Sequence, residues 1–196
     1  VAEPVDFVYA GTVSEWHGAE VFVDALSIVR QQVPGARMVV LGHGSLLDDL
    51  LARADRLCGP GAVISQGVVP PAEAAAWLRG AAASLASVRP GIGYDYAKPT
   101  KVYASTACGI PVVYAGVGAG QELVRDAGLG WAPGYATADL AEAMLAALRL
   151  TAGQRQALAE RCVAWTREHA SLQALTGRAV EQVVALLDVD LVPTPR

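Results

Sequence analysis

Lys98 and Lys101 are the only lysines in a chain of 196 residues, and they flank Pro99 and Thr100. They sit inside the stretch GIGYDYAKPTKVYASTACGIPVV, residues 91–113. That stretch reads as a glycine-punctuated loop, a helix opened by Pro99 and closed by Gly109, and a short buried strand. Proline suits the first helical turn, where a missing N–H costs nothing. Glycine suits the helix C-terminus, where a left-handed residue is needed. A helix start carries unpaired N–H groups and a partial positive charge. The N–H groups of Thr100, Lys101 and Val102, with the ammonium of Lys101, form a cradle for phosphate or pyrophosphate. The same residues also make an ordinary helix cap with a solvated lysine, and both readings stand at this point.

Such a cradle serves a ligand only where strands end beside it. Short apolar runs at 6–10, 38–41, 62–65, 83–88, 111–114 and 129–132 are apolar on both faces, as strands covered by helices on both sides must be. Helical patterns at 18–32, 45–57, 72–79, 99–108, 121–127 and 138–150 alternate with them. The rhythm predicts an α/β fold: a Rossmann-like, doubly wound parallel sheet of about six strands with helices on both faces. From 151 to about 187 the pattern turns all-helical, with Trp165 and Leu172 as packing residues. One domain over 1–190 and a frayed tail over 191–196 are expected. Ligands of this fold class bind beyond the carboxyl ends of the strands. The loops expected there are 11–18, 41–44, 67–71, 89–99 and 115–120, rich in glycine that permits close backbone approach and tight turns alike.

Composition narrows the partners. Hydrophobic residues make up 53% of the chain, so it folds around a real core. Net charge is −4 without a basic block, which argues against nucleic acid as the partner. Cys58, Cys108 and Cys162 lie far apart and form no CxxC, as expected of reduced thiols in the cytoplasm rather than metal ligands. No apolar run is long enough to span a membrane. The chain enters a strand almost at once, with no initiator Met and no signal-peptide pattern, as a piece of a longer protein would.

Taken in order, the loops resemble the C-terminal, donor-binding domain of family 4 retaining glycosyltransferases of the GT-B fold. FVYAGTVSEWHGAEVFVDAL is similar to that family's opening strand, glycine loop and helix. PGARMVVLGHGSLLDDL is similar to its second strand with a GxG turn, and AVISQGVVPPAEAAAWLRGAAASL to the stretch lying against the nucleobase. PTKVYASTACGIPVVYAGVGAGQELVRDAGLGW resembles the family's most recognisable block, and TADLAEAMLAAL its closing pattern. The resemblance implies a nucleoside-diphosphate sugar as donor and a separate N-terminal domain holding the acceptor. It also implies transfer with retained anomeric configuration, and neither metal nor cofactor. Any peripheral membrane contact would belong to the acceptor domain.

Carried over position by position, the resemblance puts the first-loop glycine at Gly11 and that of the GxG turn at Gly42. The family's loop Arg and Lys fall at Thr12 and His17. Thr12 offers one neutral hydrogen bond, far weaker than a bidentate guanidinium. His17 would donate to phosphate, more strongly if protonated, or would be a helix-entry surface histidine beside Trp16. Val69 matches a position whose backbone meets the nucleobase, and is equally a core valine. The family's paired glutamates fall at Tyr96, near the sugar, and at Ala104, which cannot bond a ribose. Asp95 is expected to take the first role after a small loop shift, and Lys101 to replace the lost cations at the phosphates. Asp95 and Lys101 are therefore the catalytic candidates. Glu122 reads as a sugar contact or a first-turn carboxylate, His43 as a cleft or turn residue, His169 as structural, and Trp77 and Trp131 as core.

The leading expectation is thus a glycosyltransferase donor domain that transfers no sugar by itself. A degenerate nucleotide-sugar-binding or scaffolding module is the alternative, motivated by Thr12 and Ala104. Half of a sugar-nucleotide epimerase is a weaker third, since the loops offer few catalytic carboxylates.

Overall fold

The computed structural model describes residues 5–187. The elements run β1 (Phe7–Ala10), α1 (Glu20–Gln32), β2 (Met38–Leu41), α2 (Leu47–Cys58), β3 (Val63–Gly67), α3 (Pro71–Gly80) and β4 (Ala83–Ser87). They continue with α4 (Thr100–Ala107), β5 (Val112–Ala115), α5 (Ala119–Asp126), β6 (Gly130–Gly134), α6 (Thr137–Leu148), α7 (Ala152–His169) and α8 (Leu172–Leu187). The six strands form one sheet in the order β3-β2-β1-β4-β5-β6, and all pairs are parallel. This is the doubly wound arrangement expected from the alternating pattern.

Strand periodicity explains the two-sided core. Phe7, Tyr9, Met38, Val40, Leu85 and Val113 face α1, α2 and α6, where Phe22, Leu26, Leu140 and Met144 pack on them. Their neighbours Val8, Val39 and Leu41 point the other way, onto Trp77 and Leu78 of α3. Ala86, Val112 and Tyr114 meet Val102, Val124, Leu129 and Cys162 on that second side. Successive strand residues alternate faces, so a run buried on both faces must be apolar throughout.

Several boundaries differ from expectation for local reasons. Pro99 is not the first residue of α4. Its backbone is extended (ψ 132°), so it caps the helix, and Thr100 is the first helical residue. The expected strand at 111–114 begins one residue later, because Pro111 has no N–H to pair and Val112 donates to the Leu129 carbonyl instead. The other end of α4 is as expected. Gly109 takes φ 75°, and the N–H groups of Gly109 and Ile110 return to the carbonyls of Thr106 and Ser105.

Behind α4 stands α7, opened by a capping box of Thr151 and Gln154. Trp165 stacks on Tyr103 with ring centroids 6.2 Å apart, and Thr166 donates to Thr106 at 2.6 Å. These contacts fix α4 against the sheet. Leu172, expected to pack, is instead 79% exposed on α8, which touches little besides α7. Trp77 is buried and Trp131 packs at the edge of the core. The expected frayed tail, 191–196, lies outside the described residues.

Candidate functional site

Strand order reverses between β1 and β4, and a crevice opens beyond their carboxyl ends. Three chain segments meet there: the loop after β1, the loop after β4, and the first turn of α4. The β1 loop is seated first. Gly11 donates to the Leu41 carbonyl and Val13 to the His43 carbonyl, each at 2.8 Å, which zips it to the GxG turn after β2. The approach is so close that a Cβ at Gly42 would stand 2.2 Å from the Gly11 carbonyl oxygen. Glycine is required at that position.

Lys101 enters from the other side. Its side chain passes beneath Gly11, where a Cβ would stand 3.0 Å from Lys101 Cε. Its ammonium donates to the Tyr9 hydroxyl at 3.1 Å, and that hydroxyl donates to the Thr12 carbonyl at 3.0 Å. Lys101 is only 8% exposed, and no carboxylate pairs with it among the described residues. Burial lowers its pKa from 10.5 to about 8. An unpaired, desolvated cation beside a helix start is poised for an anion. The reading of Lys101 as a solvated helix residue is overturned.

His17 is also buried, with Nδ1 2.7 Å from the Ser14 hydroxyl and its ring stacked on Trp16 at 3.6 Å. Burial, then the charge of Lys101, lowers its pKa to about 4. The imidazole is therefore neutral near pH 7 in the ligand-free domain, and it is not a surface histidine.

Gly11, Thr12, His17, Thr100, Lys101 and Ala104 line one cavity of about 510 Å³, with Lys98 and Trp16 also on its walls. Gly42, His43 and Val69 line an adjoining one of about 230 Å³ that shares Gly11 and Thr12 with the first. Three expected site residues line neither. Val102 is buried among Val124 and Leu129, and its N–H is taken by the Pro99 carbonyl at 3.0 Å. That leaves the N–H groups of Thr100 and Lys101 toward the loop. Asp95 accepts a long bond of 3.4 Å from the Gly91 N–H, while its carbonyl accepts from Ala119 at 2.9 Å. Tyr96 is 75% exposed beyond the cavity rim.

Tyr9 escaped the sequence reading because it sits in an apolar strand run. The available signal was a hydroxyl-bearing aromatic near the carboxyl end of β1. A third cavity, of about 360 Å³, lies beside Glu20, Arg53 and Arg89. Arg53 there bonds both oxygens of Asp24 at 2.6 and 2.9 Å and Arg89 pairs with Glu20, while Asp49 and Arg56 also line the cavity. Among the described residues, no three His, Cys, Asp or Glu side chains converge as metal ligands. No described helix is long and apolar enough to cross a membrane.

Fold and crevice together define a doubly wound α/β domain with an open cavity at its switch point. The model of the family described as glycosyl transferases group 1 matches residues 4–150, and the chain belongs to that family. No curated protein sequence matches. The structure is similar to WaaG, a glycosyltransferase involved in lipopolysaccharide biosynthesis (TM-score 0.72, 18% identity, covering 93% of this chain and 48% of that one). It is similar to Anabaena HepE in complex with UDP and glucose (TM-score 0.72, 17% identity, 92% and 48% covered). It is also similar to the C-terminal domain of a glycosyl transferase group 1 family protein, LpcC, from Francisella tularensis (TM-score 0.64, 18% identity, 85% and 87% covered). The chain spans about half the length of WaaG and HepE.

Proposed function

We propose that this domain holds the nucleoside-diphosphate sugar of a retaining, family 4 glycosyltransferase of the GT-B fold, as the C-terminal half of the enzyme. The observation that carries the reading is the buried, unpaired ammonium of Lys101 beneath the Gly11 turn and beside the start of α4. A diphosphate lying there meets that ammonium, the N–H groups of Thr100 and Lys101, and the Thr12 hydroxyl. The nucleoside extends toward His43 and Val69 in the adjoining cavity. The UDP bound by HepE supports this class of ligand.

In the reaction, the bond between the anomeric carbon and the β-phosphate oxygen breaks, and its electron pair leaves on that oxygen. The acceptor hydroxyl forms the new carbon–oxygen bond on the same face, and its proton passes to the departing phosphate. The preorganised cation and amides stabilise the growing negative charge, which is the costliest part of the step. On this reading Asp95, which lines neither cavity, is the carboxylate that approaches the sugar after a small loop shift, with Tyr96 its neighbour at the rim. The separate cysteine thiols suit a cytoplasmic setting. The apolar face of α8, with Leu172, Leu175, Val183 and Leu186 exposed, suits contact with an acceptor domain.

A second reading has its own observation. The larger cavity is lined by no carboxylate, and Ala104 stands where a ribose-binding glutamate is expected. A module that binds nucleotide sugar without transferring it fits that wall equally. Calorimetric titration with UDP, GDP and ADP tests the shared premise. Binding by at least one, lost in Lys101→Ala, is expected, and no binding by any at millimolar ligand overturns both readings. Sugar transfer by a protein containing an acceptor domain, lost in Asp95→Ala, separates the enzyme from the binding module.

A further inference from the structure

The larger cavity and the adjoining one meet along the end of β1. Ala10, Gly11 and Thr12 line both of them. A nucleotide with its diphosphate at Thr100 and Lys101 and its base beside His43 and Val69 must carry its pentose across that shared edge. One side of the crossing is the edge itself. The other is α4, where Ala104 stands one turn along from Thr100 and Lys101 and lines the same cavity as they do.

This crossing is apolar. Ala10, Ala97, Pro99 and Ala104 present methyl groups and a prolyl ring to the larger cavity. Among the described residues lining either cavity there is no Asp, Glu, Asn or Gln. The polar groups nearest in sequence to the crossing are already engaged. The Thr12 carbonyl accepts from the Tyr9 hydroxyl at 3.0 Å. The Ser105 hydroxyl bonds the Lys101 carbonyl and the Ser84 hydroxyl, each at 2.7 Å. The Tyr103 ring is stacked on Trp165, on the side of α4 that faces α7. A pentose hydroxyl turned toward Ala104 therefore gives up water and gains no partner, which is costly.

We infer that the nucleotide taken here is a 2′-deoxynucleoside diphosphate, with its C2′ methylene resting on the methyl group of Ala104. The inference rests on the donor-site reading above and sharpens it, because it fixes the pentose and leaves the base open. Ribose and deoxyribose differ only at C2′, where one bears a hydroxyl and the other a second hydrogen. A site built to bond that hydroxyl rejects the nucleotide lacking it by a large factor. An apolar site instead disfavours the nucleotide that carries it, by a smaller one. The wall formed by Ala97, Pro99 and Ala104 is of the second kind. A methylene lies against it at no cost, whereas a hydroxyl is stripped of water there.

Calorimetric titration of the 196-residue chain with matched pairs of nucleotides tests this. The pairs are UDP, GDP and ADP, each against its own 2′-deoxy form, so the base cancels within a pair. In whichever pair binds, the deoxy member is expected to bind about threefold to tenfold more tightly. Ala104→Glu supplies an acceptor for the 2′-hydroxyl and should reverse the order, with the ribo member then about tenfold tighter. Ala104→Ser makes a smaller change in the same direction, at least about threefold toward the ribo member, and serves if thermal unfolding shows that the glutamate variant does not fold. A ribo member that equals or exceeds its deoxy partner in the parent chain overturns the inference and leaves the donor-site reading standing. A ratio that the folded variants at Ala104 do not move overturns it too. No binding by any of the six nucleotides at millimolar ligand removes the donor-site reading itself, and the inference with it.

Discussion

The ammonium of Lys101 donates to the hydroxyl of Tyr9 at 3.1 Å, joining the first turn of α4 to the end of β1 across the point where strand order reverses. The hydroxyl passes the contact on to the Thr12 carbonyl at 3.0 Å. One phenol therefore aims the buried cation of the crevice and holds the loop that faces it.

Tyr9→Phe separates these roles from simple packing. The ring stays, and the core contact with Phe22 is kept. The Thr12 carbonyl loses its donor and Lys101 loses its acceptor. A loss of about 1–2 kcal/mol in unfolding free energy is expected, the cost of leaving partly buried polar groups unpaired. Nucleoside-diphosphate affinity should fall about threefold to tenfold, because the ammonium is no longer preorganised. Denaturant unfolding and calorimetry on the same preparation read the two effects.

Lys101→Met should move stability and binding in opposite directions. Burial lowers the folded-state pKa of Lys101 to about 8, below its ordinary 10.5. Between these values the unfolded chain binds the extra proton, so stability contributed by this group rises with pH from about 8 to about 10.5. Below pH 8 the buried charge is a standing cost. Methionine fills the same channel beneath Gly11 without charge. The ligand-free domain should gain about 1–3 kcal/mol at pH 7, partly offset by the lost bond to Tyr9. Diphosphate binding should be abolished. An unchanged or lowered melting temperature would show that the ammonium is not under strain in the free protein.

The fold was legible because its signal is repeated many times. Runs such as MVVL at 38–41 are apolar on both faces, and each of the six strand segments is followed by a glycine turn and a helical pattern. The α4 segment was legible for a different reason: Gly109 and the two scarce lysines are local signals. What stayed hidden depends on side-chain direction across distant segments. Nothing in a linear pattern says that Tyr9 of β1 reaches the Lys101 ammonium, or that His17 is buried rather than solvated. Leu172 shows the opposite failure. Its helical spacing reads as packing, but the sheet's faces are already covered by other helices, and it stands in solvent.

His17 should make the domain sensitive to mild acid. Its folded-state pKa of about 4 lies below the ordinary 6.5. As pH falls from about 6.5 toward 4, the unfolded chain takes a proton that the folded chain refuses, so stability is lost across that window. Protonation in place would set a second positive charge near Lys101. His17→Gln keeps a hydrogen-bonding side chain beside Ser14 without that titration. The variant should lose about 1–2 kcal/mol less than the parent between pH 7 and pH 5, read as the difference between two thermal unfolding series.

Gly42→Ala tests whether the zipped loops are as tight as the geometry requires. A Cβ at Gly42 would lie 2.2 Å from the Gly11 carbonyl oxygen and 2.8 Å from its carbon. Both obstacles are backbone, so no side chain can rotate away. The residue also takes φ 147°, a region that side-chain-bearing residues avoid. Relief demands that the Gly11 turn move off the β2 loop, breaking the Gly11–Leu41 and Val13–His43 bonds. A loss of about 3 kcal/mol or more is expected, with nucleotide binding reduced in whatever protein remains folded. Gly35→Ala is the matched control, since a methyl there meets nothing within 4 Å, and it should change stability by about 0.5 kcal/mol or less. Equal behaviour of the two variants would mean that the β1 and β2 loops are free to separate, and the cavity wall they form would lose its claim to be preorganised.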